Sequence, residues 1–127
     1  MEYQEITSQI INAAFTVHKA LGAGFLEAVY HKSMFIELND MGLSVFAQYP
    51  VPVFYKKHQV GNYYADLLVD DKIIVELKAL ERLHPAHEVQ LVNYLAGTKF
   101  DIGLLINFGR SVEVKRKYRV YRKSGEN

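Results

Sequence analysis

Asp66-Leu67-Leu68-Val69-Asp70-Asp71-Lys72-Ile73-Ile74-Val75-Glu76-Leu77-Lys78 is the stretch that decides how this chain folds. Two β-rich runs flank a polar turn, so it reads as a hairpin. The first strand carries an aspartate and the second carries Glu-x-Lys. Apolar strand neighbours disfavour buried charge, yet Ile73, Ile74 and Val75 run directly into Glu76. Side chains at i and i+2 of a strand share a face, so Glu76 and Lys78 point the same way. With Asp66 they would make a compact acid-acid-base cluster, which suits a divalent metal and an activated water.

Hairpin register determines whether that cluster exists. If Asp70 and Asp71 alone form the turn, residue 69 pairs with 72 and Asp66 faces away from Glu76. If residues 70–72 form the loop, 69 pairs with 73 and 66 with 76. A joint role for the two carboxylates therefore requires an odd loop or a bulge. Two carboxylates about 4 Å apart repel by about 4 kcal/mol at an effective dielectric near 20, unless a cation sits between them. The plain structural alternative is a salt-bridge ladder on a half-exposed sheet. Leu68 and Ile74 lie on or near the same face, so that face is not plainly solvated.

Upstream of the hairpin, Ile6, Ile10, Ala13, Ala14, Val17 and Leu21 recur at helical spacing. They predict an amphipathic helix over about residues 4–21, stopped by Gly22-Ala23-Gly24. A second helix is expected over about 25–41. Residues 43–55 are β-rich, with Pro50 and Pro52 marking an edge or irregular strand. Residues 60–69 and 72–79 form the hairpin. Leu83-His84-Pro85 opens a third helix, about 85–97. Residues 100–108 read as a strand buried on both faces, and 112 to about 120 as the last strand. The order ααβββαββ predicts an α/β fold, a mixed sheet with helices packed on it.

With 127 residues, half of them apolar or aromatic, the chain is expected to form one domain over 1–127 with a real core. It has no cysteine, which excludes disulfides, thiolate zinc sites and cysteine nucleophiles and fits a reducing cytosol. The acidic start is not a signal peptide, and no run is long enough to span a bilayer. Net charge is +1, but six of the fifteen Lys and Arg residues are Lys115, Arg116, Lys117, Arg119, Arg122 and Lys123. Such a basic end suits phosphates, while its plain alternative is a solvated, frayed terminus.

Two further groupings carry chemistry. Gly24, Glu27 and Tyr30 fall at i, i+3 and i+6, on one side of a helix. Glu27 is then expected to point the same way as Tyr30. The alternative is a dipole-favoured glutamate and a packed tyrosine. His87, Gln90 and Tyr94 share a face of the third helix, and Gln90 can both donate and accept hydrogen bonds. The alternative there is a polar helix flank. His18, His31, His58 and His84 read as surface or packing residues, with His18 set apart by lying one turn before the glycine break.

Taken together, these residues resemble the GxxExxY proteins of the PD-(D/E)xK nuclease-like superfamily. Gly24-x-x-Glu27-x-x-Tyr30 looks like the naming motif, Asp66…Glu76-x-Lys78 like the superfamily signature, and Gln90-x-x-x-Tyr94 like an auxiliary motif of RecB-like nucleases. Ala65 stands where the superfamily has its naming proline, and Tyr64 where relatives often carry arginine. The resemblance spans about residues 6–118. It implies a restriction-endonuclease-like core with helices on both sheet faces and metal-dependent phosphodiester hydrolysis. In that chemistry Asp66 and Glu76 bind Mg²⁺ or Mn²⁺, with the Leu77 carbonyl and waters. Lys78 orients the attacking water or stabilises developing charge, Glu27 assists the metal or its water, and Gln90 and Tyr94 position the site. The implied partner is nucleic acid, DNA ahead of RNA; from the charge distribution, Lys115, Arg116 and Lys117 are the basic residues expected to contact it. No membrane partner is implied, and a homo-oligomer stays open. The alternative on the same fold is a nucleic-acid-binding or protein-interaction module with weak or no catalysis. A small-molecule enzyme using the same acids has no pocket signature in its favour.

Overall fold

A computed structural model describes residues 2–120. Helix α1 (Tyr3–Leu21) buries Ile6, Ile10, Ala13, Ala14 and Val17, the face set by the helical repeat. It ends at Gly22, whose N–H bonds back to the His18 carbonyl at 2.7 Å. Helix α2 (Glu27–Asp40) starts two residues later than its spacing suggests and buries Tyr30, Met34 and Leu38. Strands β1 (Val45–Tyr55), β2 (His58–Val69) and β3 (Ile73–Lys78) follow. Helix α3 (Pro85–Ala96) leads to β4 (Ile102–Phe108) and β5 (Val112–Tyr118).

The five strands lie in sequence order, β1-β2-β3-β4-β5. Only β3 and β4 are parallel, and α3 supplies the crossover that a parallel pair requires. Helices α1 and α2 cover one sheet face through Leu67, Val69, Val75, Leu77 and Leu104. Helix α3 covers the other, packing Leu91 and Leu95 on Leu68, Ile74 and Leu105. This is the mixed, two-sided sheet of the restriction-endonuclease-like fold. Gly103 in β4 fixes how closely α3 lies: a Cβ there would stand 3.0 Å from Leu91 Cδ1. Six of the seven β4 residues are buried, as a strand sandwiched between helix layers must be.

In the central hairpin Val69 pairs with Ile73, Leu68 with Ile74 and Leu67 with Val75. The loop is therefore residues 70–72, the odd register. Asp70 and Asp71 adopt φ of 52° and 54°, a left-handed conformation that aspartate tolerates better than most residues. Ser44 clamps the turn, since its N–H donates to Asp70 Oδ1 at 2.8 Å and its carbonyl accepts the Asp70 N–H at 2.7 Å.

Alternation in β2 slips at Asp66. Leu67 and Val69 join the α1/α2 cluster, whereas Ala65 and Tyr63 join the α3 cluster. In a regular strand all four odd positions share a face. Across β1, the pairs Ala47↔Leu67 and Tyr49↔Ala65 bracket Gln48, whose φ is 55°. Beyond this point β2 has no partner in β3. The β1–β2 hairpin continues as a two-stranded ribbon, with a shift at Val53/Phe54 and Lys56 and Lys57 at its tip. Its β1 side is a sheet edge, where Pro50 and Pro52 sit without a donor to offer.

Candidate active site

The hollow that matters opens where β2 and β3 part. The Asp66 N–H lies 3.4 Å from Glu76 Oε2, and the Leu77 N–H donates to Asp66 Oδ2 at 2.7 Å. Each strand thus lends a carboxylate to the backbone of the other. These exchanges replace the ladder bonds that end at Leu67↔Val75 and satisfy backbone groups left by the slip.

A concavity of about 260 Å³ lies above them, lined by Glu27, Asp66, Glu76, Lys78, Gln90 and Tyr94 and walled by Tyr63 and His87. Asp66 and Glu76 come from the hairpin, Glu27 from the first residue of α2, and Gln90 and Tyr94 from α3. On α3, Gln90 Nε2 lies 3.0 Å from Tyr94 Oη. The Tyr94 ring stacks on Tyr63, with centroids 3.4 Å apart and planes 11° from parallel. A larger hollow, about 580 Å³, lies on the other side of Asp66 between α2 and β1, but its walls are chiefly Ala28, Phe35, Ile36, Ala47 and Leu67. It holds no second carboxylate, so the smaller hollow is the candidate site.

Electrostatics set the two carboxylates apart from surface acids. Burial pushes the Glu76 carboxyl up to about 7, against the Asp66 N–H and Lys78, while Glu27 adds to the rise. Burial also raises Asp66, opposed by the Leu77 N–H, His31 and Lys78 and aided by Glu27. Desolvation outweighs the local donors in both. A cation placed here relieves that cost. Among the described residues no group of three or more His, Asp or Glu side chains forms a ready metal cage. The donor set is instead a sparse one of two carboxylates, which fits a hard divalent cation that keeps several of its waters.

His31, read from the sequence as a surface or packing residue, is one that sequence reasoning missed. Its Nε2 is buried and makes no hydrogen bond, lying 3.5 Å from Asp66 Oδ2 and 3.9 Å from Glu27 Oε2. Its spacing four residues after Glu27 was the available signal. Asn107 was missed too. Fully buried in β4, its Oδ1 accepts the Leu80 N–H at 2.8 Å and its Nδ2 donates to the Leu80 carbonyl at 2.9 Å. It anchors the chain two residues beyond Lys78.

The Gly24, Glu27 and Tyr30 trio differs from the helical expectation. Gly24 precedes α2 and has φ 101°. Tyr30 turns away from Glu27 into the core, where it stacks on Phe108 at 4.5 Å. Its hydroxyl donates to the Gly22 carbonyl at 2.6 Å. The tyrosine is a strut that holds the α1–α2 junction, and the glutamate alone reaches the hollow. His18 is likewise structural: its Nε2 lies 2.8 Å from the Gly109 carbonyl.

The basic end does not form one patch. Lys115 and Lys117 pair with Leu105 and Gly103, on the α3 side of the sheet, while Arg116 pairs with Leu104 on the α1 side. Lys117 Nζ is 2.6 Å from Glu88 Oε1, and that hydrogen bond holds the Glu88 carboxyl below its ordinary range. Arg119 Nη1 donates to the Thr98 carbonyl at 2.7 Å. Arg122 and Lys123 lie outside the described residues.

No curated protein and no solved structure matches the chain. No helix among the described residues is long and apolar enough to cross a membrane. The sequence model described as the PD-(D/E)XK nuclease superfamily, however, matches residues 4–120. With its acids and lysine gathered on a parting hairpin of a two-sided mixed sheet, the chain belongs to the PD-(D/E)XK nuclease superfamily.

Proposed function

We propose that this protein hydrolyses phosphodiester bonds in nucleic acid, DNA ahead of RNA, in a metal-dependent reaction. The observation that carries this reading is the pairing of two burial-raised carboxylates with Lys78 in one open concavity. Asp66 and Glu76 are the residues that would hold Mg²⁺ or Mn²⁺. When bound, the ion neutralises the carboxylates and acts as a Lewis acid toward the phosphate. Lys78 donates to a phosphate oxygen or orients the attacking water, stabilising charge as the new P–O bond forms and the leaving oxygen departs. Glu27 stands at the rim to assist the metal or its water. Gln90 and Tyr94 hold the far wall and position the strand.

Binding without cutting is the second reading, and one observation favours it: a backbone N–H already occupies an oxygen of Asp66. Cleavage of single-stranded, duplex and branched DNA and RNA, with Mg²⁺ or Mn²⁺ against chelator, decides between them. Metal-dependent cleavage that Glu76→Gln abolishes is the expected result. Binding with no cleavage under any metal gives the second reading.

A further inference from the structure

A third hollow begins where the active site ends. It is a groove of about 790 Å³ between the β1–β2 ribbon and the C-terminal half of α3, with Phe54, Tyr55, Lys56, Lys57, Asn93 and Tyr94 among its lining residues. Tyr94 lines both this groove and the catalytic concavity. The two therefore meet at one side chain.

The groove's chemistry is the reverse of the site's. None of its lining residues is acidic, and residues 41–65 contain no Asp or Glu at all. Its cations are Lys56 and Lys57. Its aromatic faces are open, since Phe54 and Tyr55 are each 59% exposed, and Lys56 Nζ stands 5.5 Å from the Tyr55 ring centroid. Solvated aromatics beside ammonium groups carry a cost in water that a stacking, anionic ligand removes. Unpaired bases have free π faces and a phosphate at every step, whereas paired bases are stacked on one another.

We infer that this groove binds single-stranded nucleic acid, with Phe54 and Tyr55 stacking bases and Lys56 and Lys57 holding phosphates, and that it leads the strand past Tyr94 to the carboxylates. The inference rests on the hydrolytic reading only for where the strand leads; the groove itself is judged by binding. A second copy of the chain is the rival occupant. Pro50 and Pro52 weigh against edge-to-edge pairing on this strand, because neither has an N–H to offer.

The test measures binding by fluorescence anisotropy in chelator, using the full chain and labelled oligothymidylate, oligouridylate and a duplex, each about 20 units long. Lys56→Ala/Lys57→Ala is expected to weaken single-strand binding at least tenfold at low salt and to reduce the log–log salt slope by about 1.4. Phe54→Ala is expected to weaken it roughly tenfold or more while leaving duplex affinity nearly unchanged. Loss on either the DNA or the RNA strand supports the groove and names its sugar. Equal loss on single strand and duplex, unaltered affinity in both variants, or no single-strand binding by wild type overturns it. So does a variant that turns a dimer into a monomer with binding intact. These residues are exposed, and unchanged thermal unfolding checks that the fold persists. If the groove variants behave as expected but wild type cleaves nothing with metal, the hydrolytic reading falls and the groove stands. If wild type cleaves and the variants bind normally, the reverse holds.

Discussion

Asp66 and Leu77 are joined across the β2–β3 seam by a 2.7 Å hydrogen bond from the Leu77 N–H to Asp66 Oδ2. It holds one catalytic candidate against the backbone of the next, at the place where the two strands stop pairing. Asp66→Asn keeps the shape but removes a ligand charge. Metal-induced thermal stabilisation and cleavage are both expected to fall. Lys78→Ala is expected to keep the metal shift and lose cleavage by roughly a hundredfold or more. Nucleic-acid affinity is expected to change little in either, because phosphate contacts away from the hollow do not depend on these two side chains. Undiminished cleavage by Lys78→Ala would place the activity in another site.

The raised Glu76 carboxyl gives a pH dependence with a definite sign. Its folded value of about 7 exceeds the ordinary 4.5, so the folded state binds more protons than the unfolded state between those values. The stability this proton supplies is full below about pH 4.5 and is lost as pH rises through 7, to an upper limit of about 3 kcal/mol. Glu76→Gln is expected to flatten that slope. Urea unfolding at several pH values from mildly acidic to mildly alkaline reads it directly. A divalent ion at a hundred times its Kd is expected to return about 2.7 kcal/mol at neutral pH.

Tyr30 separates strut from site. Tyr30→Phe keeps the stack on Phe108 but leaves the Gly22 carbonyl without its donor. A loss of about 1–2 kcal/mol in unfolding free energy is expected, with the metal-induced shift retained. Tyr30→Ala empties a fully buried position and is expected to cost about 3–5 kcal/mol.

Asn107 is the ladder partner of Lys78 and is expected to act as a positioning residue for it. Asn107→Ala leaves both Leu80 backbone groups without their partner, which is expected to cost about 1–3 kcal/mol. Single-turnover cleavage is expected to slow while oligonucleotide affinity holds. An equal fall in both would make the role merely structural.

On β5, Lys115 is exposed on the face shared with the site, and Arg116 faces the opposite way. Lys115→Ala is therefore expected to reduce the salt slope of nucleic-acid binding by about 0.7–0.9, and Arg116→Ala to leave it unchanged. Equal effects from the two would mean that the strand wraps the sheet edge.

Much of this architecture is local and so is legible in the chain. Element order follows from periodicity, the α1 stop from Gly22, and the edge position of β1 from its prolines. Counting alone sets position 66 opposite 76, because the loop is odd and strand side chains repeat every two residues. What the sequence could not disclose depends on contacts between distant segments. The slip of β2 at Asp66 arises where the β3 ladder ends at Leu67↔Val75 and, across β1, Gln48 takes a φ of 55°. Packing of α2 brings His31 to Asp66 across 35 positions and turns Tyr30 onto Phe108, and no helical repeat distinguishes an inward tyrosine from one that faces a site. Asn107 meets Leu80 only because β3 and β4 run side by side. Local spacing chose the residue types and their strand faces. The tertiary packing of three helices on a parted sheet decided which of them share a hollow, because only there does burial set the charges against one another.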